Sequence, residues 1–323
     1  RLRSARPLFS STPRQIIRSP RTHTIAVVSI ALALAFYFYN VETVPVSGRK
    51  RFNCYSESTL HELGVRQAKH VLYDLQRHGG GLLPSWDPRT RMVQRVMNRL
   101  IPVSGMEADS SDDSTGKRNP NTRRDEWEVH VIDDGALSRA NAFVLPGGKV
   151  FVYSGLLRLT RSDAQLAAVL SHEIAHNLAK HHAERLSQSV GETFFLGSAL
   201  MLLAATPFTF VFGYMFGGSL LDLLFSRPMG RMQESEADYI GLMMMAEACY
   251  DPREAVTFWQ RLESVQSQMG MEPPEFMSTH PSNQHRIESI TQWLPEAIEK
   301  RQASDCVGTQ GFAELFRRAM ANG

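Results

Sequence analysis

The residues best suited to chemistry in this 323-residue chain are His172-Glu173-Ile174-Ala175-His176. On a helix, residues four apart stand one above the other, so both imidazoles can grip a single ion. Glu173 projects beside them and can reach a water at that ion without being a ligand. This is the apparatus of zinc-assisted peptide hydrolysis: the ion polarises the scissile carbonyl and acidifies a water, and the carboxylate moves the proton. Taken alone, the motif also fits two solvated histidines on a helix face. Zinc, one ion per chain, needs a third protein ligand and an open fourth position.

Three side chains compete for the third place. His182 has the offset of an H-E-x-x-H-x-x-G-x-x-H pattern, but that pattern needs a glycine to turn the chain, and Ala179 holds the position. If the helix continues, His182 stands about 9 Å along the axis from His176, too far to share an ion. His181 and His182 then form a solvated face or a support for the ligands. Glu234-Ser235-Glu236-Ala237-Asp238 supplies an E-x-x-x-D pattern instead. Glu234 would bind the metal, and Asp238, one turn on, would hydrogen-bond a ligand histidine and fix its tautomer. Glu236 is the rival ligand, although it points about 160° away from the Glu234–Asp238 face. Glu234 is the reading adopted.

Helices and a small sheet must position these groups. Ser162 and Gln165 form a capping box for the helix that carries the histidine pair. Leu60, Leu63, Ala68, Val71, Leu72 and Leu75 recur at helical spacing over 57–78, and Asp87-Pro88 caps a second helix carrying Met92, Val93, Val96, Met97 and Leu100. Trp127, Val129 and Val131 alternate as a strand. Ala142–Leu145 and Lys149–Tyr153 flank Pro146-Gly147-Gly148, a hairpin whose edge can align an extended substrate. Residues 104–125 are polar and predict a mobile surface loop. The expected architecture is one α+β domain over 42–323, mainly helical, with a small sheet.

With 43% hydrophobic and 21% charged residues, the chain is neither disordered nor collagen-like. Its net charge of +2 conceals an asymmetry, because six arginines precede the first acid, Glu42. Setting those six aside leaves 29 of the 35 basic residues against 33 acidic ones, about −4 in all, which argues against nucleic-acid binding. Residues 1–23 are Arg-rich, Ser-containing and free of acids, as in a mitochondrial targeting segment. The chain opens on Arg1 rather than Met, which predicts a leader longer than these residues. Ile25–Val41 then runs 17 residues without a charge, and a transmembrane anchor is expected over 24–41. The charge bias keeps the arginine-rich side and sends the rest across, with Arg49-Lys50-Arg51 opposing it.

A second apolar stretch, Phe194–Leu221, has 28 uncharged residues. A single crossing would put His172 and His176 on one side of a bilayer and Glu234 on the other, which a shared ion forbids. Two crossings need about 40 apolar residues. The expectation is a hydrophobic hairpin over 194–225, either dipping into the membrane or packed on the domain. Of the three cysteines, Cys249 and Cys306 either pair across the C-terminal helices or remain buried thiols.

HEIAH, ESEAD, the run NAFVLPGGKVFVYSGLL (Asn141–Leu157) and THPSNQHRI (Thr279–Ile287) occur here in the order seen in HtpX-like membrane zinc peptidases. The resemblance covers roughly Glu42 to Leu294. With the basic leader, the anchor and VPVSGRKRF (Val44–Phe52), the chain is most similar to the Oma type, mitochondrial inner-membrane zinc metalloendopeptidases whose activity overlaps that of the m-AAA protease. The resemblance implies a gluzincin-like zincin fold and an endopeptidase domain facing the intermembrane space. It also implies action in quality control and under membrane stress, with a dynamin-like fusion GTPase among the substrates. The partners expected are membrane proteins with flexible juxtamembrane segments and the lipid bilayer, with a homo-oligomer left open and no nucleic acid. His280 and Arg286, six apart around Pro281, are candidates for stabilising the oxyanion or for occupying the zinc at rest; a capping or packing role is equally open for each.

Overall fold

The computed structural model describes residues 20–44, 47–104, 127–191, 227–269, 274–280, 284–304 and 306. Residues 1–19 of the targeting segment, 105–125 of the polar loop and all of the 194–225 hairpin lie outside them. Two compact units emerge: one takes in 1–44, 48–54 and 183–228, the other 45–47, 55–182 and 229–323.

The larger unit begins with two helices that start where their caps dictate. Ser56 accepts from the Thr59 N–H at the head of α2 (Glu57–Arg77), and Asp87 accepts from the Arg89 N–H ahead of α3 (Pro88–Val103). A three-stranded sheet follows, of β3 (Glu128–Ile132), β4 (Ala142–Leu145) and β5 (Lys149–Tyr153), in the order β3-β5-β4. The expected hairpin is present, β4 antiparallel to β5, and its turn needs Gly147 and Gly148 because both have positive φ. Less legible is the parallel pairing of β3 with β5, in the register Val129↔Val150. Strand β3 starts at Glu128, one residue after Trp127. One face of the sheet receives α2: Ala68, Val71, Leu72 and Leu75 pack with Ile132, Leu145, Phe151 and their neighbours.

The strand β5 leads through α4 (Ser154–Leu159) to α5 (Asp163–Leu178), which packs against β4, α3 and α7 (Arg253–Met269). Every residue from Gln165 to His176 is buried, the polar Gln165, Ser171, His172, Glu173 and His176 included. The Ser162 hydroxyl caps its first turn by accepting from the Gln165 N–H, while the Gln165 side chain accepts from Arg161 rather than Ser162. Helices α6 (Arg227–Glu247), α8 (Glu275–Thr279) and α9 (Gln284–Ala303) complete the unit. Of the two states open to the cysteines, the disulfide is present: Cys249 and Cys306, Cα atoms 5.4 Å apart, tie the end of α6 to the end of α9. The fold class expected from the sequence, α+β and mainly helical with a small sheet, is the one observed.

In the smaller unit α1 (Pro20–Tyr39) runs into a short antiparallel pair, β1 (Val41–Thr43) and β2 (Lys50–Phe52). Phe52 stacks on Tyr37, ring centroids 5.3 Å apart, and meets Phe36 edge-on. Arg49 makes a bidentate pair with Glu184 at 2.6 and 2.7 Å, and Arg51 pairs with Glu42. Val27, Val28, Ile30, Leu32, Leu34 and Phe38 on α1 are exposed. Among the described residues no helix is long and apolar enough to cross a membrane.

Candidate metal centre

Helices α5 and α6 meet where Gly241 faces His172. A Cβ on Gly241 would lie 2.9 Å from the His172 backbone nitrogen and 3.0 Å from its Cα, so the approach requires glycine. Asp238 and Glu234 precede Gly241 on the same face of α6, and the close contact delivers both carboxylates to the histidines.

The donor atoms then converge. His172 Nε2 and His176 Nε2 stand 3.1 Å apart, and each is 3.4 Å from an oxygen of Glu234. His280, on the turn after α8, adds Nδ1 at 3.2 Å from His172 Nε2 and 2.8 Å from Glu234 Oε2. These four donors all lie within 4.8 Å of one another. Tetrahedral ligation at ordinary zinc–nitrogen and zinc–oxygen lengths sets neighbouring donors about 3.3 Å apart, so the spacing suits one ion of that size. Glu173 is buried beside them, with Oε1 3.3 Å from His280 Nε2.

Protonation suits metal binding as well. Burial pushes the Glu234 pKa up, but the imidazoles of His172, His176 and His280 around it outweigh that and hold the carboxylate far below its ordinary value. Burial is the main reason that the His176 pKa falls well below an ordinary imidazole, which favours the neutral ring. For His172, burial and then Arg286 disfavour the charge, yet hydrogen bonds to Asp238 and Glu234 lift the pKa above the usual value. Ligands must shed their protons to bind a metal, and the directions of the Glu234 and His176 shifts favour that.

Around the donors sits a supporting shell. Asp238 Oδ1 is 3.0 Å from His172 Nδ1, where the sequence placed it. Arg286 lies behind: Nη2 donates to Asp238 at 2.6 Å, and the guanidinium covers the Trp259 ring 3.6 Å from its centroid. Nothing in the spacing of the sequence pointed to Trp259. Helix α5 does not continue through His182. It ends at Leu178, Lys180 takes a left-handed φ of 48°, and residues 181–191 are helical again. The break returns His181, not His182, towards the site. His181 is buried rather than solvated, its Nδ1 2.7 Å from His176 Nδ1 and its Nε2 2.9 Å from Glu236 Oε2. Glu236 is therefore engaged away from the donor cluster, not a rival within it.

Several known proteins are similar to this chain. The model of a family described as Peptidase family M48 matches residues 88–294, a span holding every donor above. The mitochondrial metalloendopeptidase OMA1 of Schizosaccharomyces pombe is 41% identical over 291 residues, which cover 90% of this chain and 77% of that protein. The Saccharomyces cerevisiae protein of the same name is 35% identical, covering 87% of this chain and 77% of its own. The human metalloendopeptidase OMA1, mitochondrial, is 31% identical over 85% of this chain and 50% of its own length.

Proposed function

Since the chain belongs to peptidase family M48 and is a metalloendopeptidase, we propose that it uses zinc and works from the mitochondrial inner membrane, its catalytic unit facing the intermembrane space. The observation that carries the reading is the convergence of His172, His176 and Glu234 with Glu173 alongside. A disulfide between Cys249 and Cys306 supports a compartment more oxidising than the cytosol. The relatives named mitochondrial support the address. For anchorage, the support is the 17-residue charge-free run and the apolar side chains that α1 turns outward.

His172, His176 and Glu234 would hold the ion, which when bound acidifies a water and polarises the scissile carbonyl. Glu173 would take a water proton on its carboxylate and return it to the leaving amine nitrogen. His280, whose Nδ1 lies inside the donor cluster, would help to hold the ion at rest and, when free of it, would donate to the developing oxyanion. Arg286 acts through Asp238, holding the carboxylate that orients His172. Strand β4 sits at the edge of the sheet and is pinned to the site because Asn177 Nδ2 donates to the Leu145 carbonyl at 3.0 Å. An extended segment can pair along that edge, reading backbone more than side chains. The substrates that follow are membrane proteins with flexible juxtamembrane segments, cleaved in quality control and under membrane stress; by resemblance they include a dynamin-like fusion GTPase.

Cleavage of casein and of a membrane protein by the purified chain tests this reading. Activity should vanish with a chelator and return with zinc. Full activity in the chelated, metal-free protein would refute it.

A further inference from the structure

We infer that His181 and Glu236 form a relay that positions His176 as a ligand, the counterpart, one imidazole longer, of Asp238 behind His172. The relay rests on reading the cluster as a metal centre, and its geometry sets the protons. His176 turns Nε2 towards His172 and Glu234. For Nε2 to offer a lone pair, the proton must sit on Nδ1, which faces His181 Nδ1 at 2.7 Å. An N–H donated there needs a bare acceptor, so His181 carries its own proton on Nε2. That nitrogen is 2.9 Å from Glu236 Oε2, and the Ser47 hydroxyl donates to Glu236 Oε1. With both imidazoles neutral and the carboxylate ionised, every hydrogen bond in the series has one donor and one acceptor.

The construction follows from helical geometry. Glu234 and Asp238 share a face of α6, whereas Glu236, two residues from each, points about 160° away. It cannot reach a ligand on the Glu234 side directly. The left-handed break at Lys180 brings His181 into the gap and closes the distance. His181 and Glu236 are both buried, so the polarity of the series reaches His176 with little screening by water. Such a series fixes the ring rotation and tautomer of His176 and makes Nε2 a better donor.

The test is zinc affinity, measured on the 323-residue chain by competition with a chelating indicator, together with side-chain nitrogen NMR of the zinc-loaded protein. The wild type should show His176 protonated on Nδ1 and His181 on Nε2. His181→Ala and Glu236→Ala should each weaken zinc binding by about 10–100-fold. The double variant should lose little more than either single one, because the two act as one unit. His181→Asn and Glu236→Gln, which keep polar groups in place, should bind zinc more tightly than the alanine variants and guard against misfolding. Wild-type affinity in all folded variants, losses that simply add, or His176 protonated on Nε2 would each overturn the relay. Failure of the wild type itself to bind zinc would instead overturn the metal centre, and the relay with it.

Discussion

At the scale of single residues, the site depends on which carboxylate of ESEAD does what. Glu234 is the one whose oxygens stand 3.4 Å from both histidine Nε2 atoms, with the deeply lowered pKa of an anion among imidazoles. Glu234→Ala should lose metal and activity together, as metal analysis and a peptide assay on the same sample will show; a variant retaining one metal per chain would exclude it as a ligand. Asp238→Asn should keep the fold and lower metal affinity by about 10–100-fold, since an amide can still face His172 Nδ1 but no longer carries charge. An unchanged affinity would contradict the orienting role. That His172, His176, Glu234 and Asp238 would meet was legible, because the periodicity of a helix converts spacing directly into a shared face. His181 was not, because its place depends on a left-handed Lys180, and neither that residue nor Ala179 is the glycine that usually marks such a turn.

At the scale of elements, the same division holds between local and long-range order. The Asp87-Pro88 and Ser162 caps and the Pro-Gly-Gly hairpin were readable because each is decided within a few residues. The parallel β3–β5 pairing was not, since no local pattern says which strand a distant segment will join. The crossing of α5 and α6 is likewise tertiary and turns on one residue. Gly241→Ala would drive a Cβ into the backbone of His172, so it should destabilise the fold by about 1–3 kcal/mol and weaken metal binding. Gly230→Ala, in the same helix with nothing within 4 Å, should be neutral or mildly stabilising. Equal melting temperatures for the two variants would contradict the close crossing. The Cys249–Cys306 bridge closes 57 residues and should contribute up to about 4 kcal/mol on the chain-entropy model. Cys249→Ser should therefore melt earlier than the wild type under non-reducing conditions, and an identical melting curve would show the bridge to be absent or without effect.

At the scale of the whole molecule, a buried hydrolytic centre is joined in sequence to a helix that turns apolar side chains outward. Carbonate extraction of membranes should leave the wild type in the pellet, whereas Leu32→Asp combined with Leu34→Asp should release it; release of the wild type would remove the anchor from the account. Hydrolysis at that centre rests on Glu173, the one group here assigned to move a proton without holding the metal. The most direct measurement is metal content and peptide-cleavage rate on the same preparation of Glu173→Gln. One zinc per chain with cleavage slowed by about 10²-fold or more is the expected result. One zinc per chain with cleavage at the wild-type rate would contradict it.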